Sequence, residues 1–291
     1  GSLGQLRYGV FEEPVMLRYE PALEPLFRQE IRAFSPEVIH IWGTEYSHTL
    51  AMLRVCQAEG LLDRTVVGIQ GLCSICGKHY SEGLPLQAAH GFSLRDLLRW
   101  DNVAMQRRHY LRRGDMERAA LSITQHVLGR THWDAAAAHM LAPQAQYHFC
   151  GETLRESFYS GSWQYGSCQK HSIFASGPDT PIKGFHLLLE ALKLVLQQYS
   201  DAVISVPGPD IFRCQGRQRL LEQTYHQYLR RYAAKNGLTD HVHFLGRLDA
   251  AQMKQAFLSA NVFVLPSVME NSPNILGEAM LLGLPCIAAD V

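Results

Sequence analysis

The chain has 291 residues, 47% hydrophobic and 19% charged, which is enough apolar material for two ordinary domains and too much for a disordered polymer. Its 27 basic and 27 acidic residues cancel, so no global field draws it to nucleic acid and any anion site must be local. No apolar run reaches membrane-span length, and seven scattered cysteines favour reduced thiols, so a cytoplasmic chain, soluble or peripheral, is expected.

In chain order, the pattern predicts a helix near 21–34, a strand over "EVIHIW", a helix near 46–59 and a strand over "TVVGI". The segment "GTEYSH" follows the first strand, where Glu45 and His48 could line a cleft; an ordinary helix cap with a surface histidine is the alternative. Residues 71–92 read as an irregular polar and aromatic stretch. Cys73 and Cys76 in "CSIC" read there as incidental loop cysteines, because no second metal-binding pair accompanies them. Arginine-rich helices follow to about residue 120. Their interspersed acids suggest a salt-bridged solvated face, with peripheral contact to anionic lipid through Arg95–Arg118 as the alternative. Arg130 follows the strand-like run "HVLG" and is a candidate to meet a phosphate or an acidic acceptor. Thr131 and Asp134 in "THWD" resemble a capping box that opens the next helix, and "AQYHFC" reads as a strand. The stretch "YSGSWQYGSCQKH" carries the domain boundary, giving domains 1–168 and 169–291.

The second half alternates more cleanly. Strands are predicted over 172–176, 202–206, 241–245, 261–265 and 285–289, separated by helices at 184–199, 216–236, 250–260 and 273–282. This is the pattern of a doubly wound parallel sheet, whose ligands bind beyond the carboxyl ends of its strands. The segment "SVMENSPNILGEAM" follows a strand in that position. Ser272 suits an N-cap and Pro273 a first helical position, which puts Glu270 in the loop before the helix and Glu278 in its second turn. The helix start between the two acids favours phosphate, through its unpaired N–H groups and its dipole. Backbone N–H groups near Asn271, Ser272 and Asn274 could receive such oxygens, whereas Pro273 has none to offer. The three anchors span on the order of 10 Å, the length scale of a nucleotide sugar. Neither half reads as a complete domain, so truncation at both ends is expected: the first opens without a glycine-rich strand-to-helix unit and the last strand stops at "AADV".

With "EVIHIWG", "IKGFHLLLEAL", "TDHVHFLGRL" and the Glu-x7-Glu pair inside "ANVFVLPSVMENSPNILGEAMLLGLPCIAADV", the chain resembles the retaining GT-B glycosyltransferases of family 4. That resemblance implies two Rossmann-like parallel-sheet domains facing a cleft, an acceptor-side domain followed by a donor domain. It implies transfer of a sugar from a nucleoside diphosphate to a hydroxyl of a glycan or lipid-linked acceptor, with retention and without cofactor or required metal. It also implies that Glu270 holds donor-sugar hydroxyls at the catalytic centre and Glu278 the ribose. Lys183, with Gly184 beside it, would face the diphosphate, and Gly208 would let base or ribose approach. The chain departs from the pattern in "SGPDTPIKG", where many members carry an arginine about five residues before the lysine. It also has Gln70-Gly71 where related enzymes often carry a histidine, and neither His79 nor His90 is assigned that role. Two rival readings were weighed. A binding-only chain is motivated by the missing arginine, and a nicotinamide-dependent oxidoreductase lacks its Gly-x-Gly-x-x-Gly turn.

Overall fold

The structure, a computed structural model, describes residues 9–11 and 17–291. Two compact units can be distinguished. The first takes the described residues up to Ser74 together with Arg112–Gly129 and Ala135–His148, and the second takes Ile75–Leu111, Arg130–Asp134 and Phe149–Val291.

The first unit is built on four strands in the order β1-β2-β3-β4: β1 (Ile39–Trp42), β2 (Thr65–Gly68), β3 (His126–Gly129) and β4 (Gln146–Phe149). The pairs β1–β2 and β2–β3 are parallel, with Ile41 opposite Val67 and Val67 opposite Val127. The two helices expected before β2 are α1 (Leu23–Phe34) and α2 (Ser47–Ala58). On α1, Leu23, Phe27 and Ile31 recur every fourth residue, so they form one buried stripe that packs with Leu50 and Leu53 of α2 and with Ile41 and Val67 of the sheet.

Residues 71–92 are not irregular as the sequence suggested. They contain α3 (Cys73–His79) and α4 (Leu86–His90), followed by α5 (Leu94–Arg99), α6 (Val103–Leu121) and α7 (His132–Leu141), so the "CSIC" cysteines lie on a helix. The start of α3 is capped from a distance. Glu117, fully buried on α6, accepts the N–H groups of Cys73 (2.9 Å) and Ser74 (3.0 Å) and the hydroxyls of Ser74 and Thr44. Because the capping acid is 43 residues away from Ser74, no local pattern announces the helix.

The second unit carries five parallel strands in the order β7-β6-β5-β8-β9: β5 (Ser172–Ala175), β6 (Val203–Val206), β7 (Val242–Phe244), β8 (Val262–Leu265) and β9 (Cys286–Ala288). Each lies within a strand predicted from the sequence. The helices are α8 (Phe185–Val195), α9 (Arg217–Leu220), α10 (Thr224–Lys235), α11 (Ala250–Ser259) and α12 (Asn274–Leu281). Leu188, Leu189 and Leu192 of α8 and Tyr225 and Leu229 of α10 cover one part of the sheet, while Phe158, Phe174, Phe257 and Phe263 fill a second core. The helix expected over 216–236 is interrupted. Glu222 turns inward to a two-pronged pair with Arg230, and buried Asp96 receives the N–H and hydroxyl of Thr224, so the chain restarts as α10. Segments 75–111 and 130–134 thus group with this sheet although they precede residue 168 in the chain.

The strand order fixes where a ligand would sit. From β5 the chain winds through β6 and β7 on one side, then returns through β8 and β9 on the other. The loops after β5 and β8 therefore leave adjacent strands at the point where the winding reverses, and they open a crevice there. No helix among the described residues is long and apolar enough to cross a membrane.

Candidate active site

Both of those loops carry residues singled out by the sequence, and Gly184 locks the loops together. After β5 the chain makes a short 3-10 turn, Pro181–Lys183, and then bends through Gly184 at φ +68°. A Cβ at Gly184 would stand 1.8 Å from the carbonyl oxygen of Pro266, so only glycine permits this approach of backbone to backbone. One residue further along each loop, Val268 N–H donates to Ile182 O at 2.9 Å. The result is that Lys183 Nζ lies 2.6 Å from Glu270 Oε2, the same oxygen that accepts the Ser267 hydroxyl at 3.1 Å. The pair is half-buried, with 38% of the lysine side chain and 18% of the glutamate exposed, so both can still meet a ligand.

Next in the chain, Asn271 is buried and its amide is engaged within the protein. Its Oδ1 accepts the Thr131 hydroxyl (2.8 Å) and its Nδ2 donates to Asp134 Oδ2 (3.3 Å). The capping box read from "THWD" is present: Asp134 N–H donates to Thr131 Oγ1 and Thr131 N–H donates to Asp134 Oδ1. The sequence did not indicate that this box would also hold Asn271. Arg130 belongs to the same cluster through its N–H, which donates to Asp134 Oδ2, while its guanidinium pairs with Glu152. Arg130 Nε is buried and lacks a partner among the described residues.

The helix start differs from the sequence reading by one position. Ser272 takes the left-handed conformation (φ +50°), and the Pro273 carbonyl accepts the first helical bonds, from Leu276 (3.0 Å) and Gly277 (3.4 Å). Pro273 and not Ser272 is therefore the flanking cap residue, and α12 begins at Asn274 without a side-chain cap. The N–H groups of Asn274 and Ile275 precede the first helical bond, so this end keeps the donor character that anions use.

Glu278, one turn further on, is 3% exposed. Both of its oxygens are held by Arg155, whose Nε and Nη2 each donate at 2.6 Å. This hydrogen bonding raises the guanidinium above its ordinary range, and the same group lies 4.7 Å over the Phe158 ring. Gly277 brings the helix close to this segment, since a Cβ there would come within 2.9 Å of Leu154. Arg155 was missed by the sequence reading. The one available signal was the cation absent from "SGPDTPIKG", which said that a positive group was wanted but not where it would come from.

Gly208, after β6, has φ +112° and exchanges backbone hydrogen bonds with Gly246 (2.8 and 3.1 Å). A Cβ there would meet nothing within 4 Å, so its conformation demands glycine while its outer face stays open. Glu45 and His48 lie in the first unit. Glu45 follows β1; burial pushes its carboxyl above the usual range, and one buried oxygen has no partner among the described residues. His48 stacks on Tyr46 with ring centroids 5.0 Å apart. Lys183, Gly184, Gly208, Asn271, Ser272, Asn274 and Glu278 all fall with Glu270 in the second unit, as does Arg130.

A carboxylate paired with a lysine and a second paired with an arginine, on either side of an uncapped helix start at the sheet's switch point, make a site suited to a phosphorylated, hydroxyl-rich ligand. Residues 167–291 match the family Glycosyl transferases group 1. This group 1 segment runs from just before β5 to the end of β9 and contains both glutamates, Lys183 and Gly208. The phosphatidyl-myo-inositol mannosyltransferase of Mycobacterium leprae (strain TN) is 32% identical over 128 residues, 44% of this chain and 30% of that protein. Among solved structures, sucrose-phosphate synthase (tll1590) from Thermosynechococcus elongatus superposes with a TM-score of 0.60 at 18% identity, over 93% of this chain and 60% of that one. HepE (Alr3699) of Anabaena, solved in complex with UDP, superposes with a TM-score of 0.55 at 18% identity, over 93% of this chain and 64% of that one. The fold around the group 1 segment is thus the parallel α/β fold of GT-B glycosyltransferases. The chain spans about a third of the length of the curated relatives it matches.

Proposed function

We propose that this chain is the core of a retaining glycosyltransferase of family 4, which binds a nucleoside diphosphate sugar at the group 1 segment and passes the sugar to a hydroxyl of a glycan or lipid-linked acceptor. The observation that carries the reading is the pairing of Lys183 with Glu270 and of Arg155 with Glu278 on either side of the α12 start. In this reading Glu278 takes the ribose hydroxyls, Glu270 the donor-sugar hydroxyls at the reacting centre, and the open N–H groups near Ser272 and Asn274 the phosphate oxygens. The open face of Gly208 admits the base. Lys183, together with the helix dipole, neutralises the departing diphosphate, a charge that many enzymes meet with Mg²⁺, so the transfer is metal-independent. Arg155 supplies the second cation that the sequence lacks before Lys183. It is 47% exposed and can turn from Glu278 towards phosphate once the ribose replaces it. Glu45, His48 and Arg130 are assigned to the acceptor side, with the acceptor half ending near residue 168 and the donor half beginning at 169, and the enzyme works in the cytoplasm.

UDP is the first nucleotide to try, since a neighbour of this fold was solved with it. The test is a panel of nucleotide sugars with and without candidate acceptors, monitoring free nucleotide, followed by assignment of the anomeric configuration of any product. Retained configuration with nucleotide release in chelator supports the reading. Binding without release throughout the panel, or an inverted product, overturns it.

Removing Glu278 should act on binding. Glu278→Ala is expected to weaken affinity for the free nucleoside diphosphate by about 1.5–3 kcal/mol, the range for hydrogen bonds to a charged group. The ribose contact is made in ground and transition states alike, so the loss belongs in affinity before turnover. Because Arg155 is half exposed, its stranded charge is hydrated and the fold should survive. Titration calorimetry with a parallel melting curve measures both, and unchanged affinity would remove Glu278 from the site.

A further inference from the structure

Helix α5 lies in the second unit with its amphipathic order inverted. Asp96 is fully buried: it accepts the N–H and hydroxyl of Thr224 at the start of α10, closes a capping box with Ser93, and pairs with Arg95 at 3.2 Å. Arg95 is itself 13% exposed and also reaches Asp101. The opposite face carries Leu94, Leu97 and Leu98, at the i, i+3, i+4 spacing of one helical stripe, and Leu98 is 70% exposed. Trp100 follows at 66%, held by a left-handed turn, and Phe92 precedes the helix, also exposed. A surface helix normally turns its leucines inward and its charges outward, so a stripe anchored this way round is an exposed apolar patch of the kind that marks an interaction surface.

The charges around the patch indicate what it meets. Phe92 lies on the rim of a cavity of about 750 Å³ that is also lined by Lys78, Arg107 and Arg108. These three cations, and Arg99 on α5, form no ion pair among the described residues. The nearby acids are answered, Glu82 by His79 at 2.8 Å and Asp101 by Arg95 at 3.3 Å. Standing leucines with a tryptophan beside unpaired lysine and arginine match the two components of an anionic lipid surface, an apolar layer and a sheet of phosphates. The arginines that suggested lipid in the sequence divide in the structure. Arg95, Arg113 and Arg118 are bound to protein groups, and Arg107 and Arg108 are left to act outward.

We propose that the outward face of α5 with Trp100, together with Lys78, Arg107 and Arg108, docks on an anionic phospholipid membrane. The inference stands independently of the sugar-transfer reading, because none of these residues belongs to the candidate active site. The whole chain is to be sedimented with vesicles of phosphatidylcholine alone or containing roughly 30% phosphatidylglycerol, at low and high salt. Wild type should bind the anionic vesicles at low salt and at least about tenfold more weakly the neutral ones. Leu97→Ser/Leu98→Ser/Trp100→Ser should lose binding more than about tenfold, and Arg107→Gln/Arg108→Gln about fivefold for each charge removed. All five positions are at least partly exposed, and melting curves check that the variants fold. No binding to anionic vesicles at low salt, or undiminished binding in both variants, overturns the proposal. So does a chain that self-associates through this face, becoming monomeric in the serine variant while never binding vesicles.

Discussion

Glu270→Gln should slow sugar transfer on the order of 100-fold while leaving nucleoside diphosphate affinity within about threefold of wild type. The amide keeps the shape of the side chain and its hydrogen bond from Ser267, and loses the charge that now sits 2.6 Å from Lys183. In the proposed site that charge is directed at the donor sugar, where positive character develops during transfer, so its absence is felt in the transition state. Lys183, released from its partner, stays available to phosphate, which is why affinity should hold or tighten slightly. Single-turnover transfer and calorimetry on wild type and mutant form the paired measurement. Equal rates would reduce Glu270 to a structural counter-ion for Lys183. A collapse of nucleotide affinity in a folded mutant would mean that the polarity of the site is reversed.

The second large effect concerns the backbone. Gly184→Ala is expected to cost roughly 3 kcal/mol or more of stability, because a left-handed alanine is combined with a Cβ that cannot coexist with the Pro266 carbonyl. For a chain of this size that amounts to a fall in melting temperature of about 6–12 °C. Gly237→Ala provides the control: its φ of +69° is nearly the same, yet a Cβ there meets nothing within 4 Å, so its cost should stay near 1–2 kcal/mol, roughly the left-handed penalty alone. Thermal melts of the two variants separate the clash from the conformational penalty. Comparable losses in both would show that the Gly184–Pro266 approach is not what holds the loops. If the clash dominates, Gly184→Ala should also impair nucleotide binding, since the same contact sets Lys183 against Glu270.

What the sequence made legible here was local. The five strands of the second sheet announced themselves as short apolar runs, and Glu270 and Glu278 could be assigned to loop and helix from eight residues of spacing. Lys183 and Gly184 were found the same way, beside a helix pattern. What stayed hidden was partnership across the chain. Arg155 reaches Glu278 over 123 positions, Thr131 reaches Asn271 over 140, and Glu117 caps a helix that its own sequence does not mark. A hydrogen bond leaves no periodic trace in either of two distant segments, so these contacts appear only once the strands have been ordered. The Ser272 cap failed for a related reason. Proline after serine allowed two placements of the helix start, and the left-handed turn at Ser272 decides between them.

The stretches 75–111 and 130–134 carry a lesson for anyone building hybrids. Exchange of acceptor halves between glycosyltransferases assumes that the donor half is one continuous cassette. In this protein a splice at residue 168 would leave behind Asp96, which holds the start of α10, and Thr131 and Asp134, which hold the amide of Asn271. The transplanted cassette would retain its nucleotide-facing side chains and lose the struts beneath two of its elements. A working hybrid would have to carry those two short stretches over with the donor half, or inherit equivalent struts from its new partner.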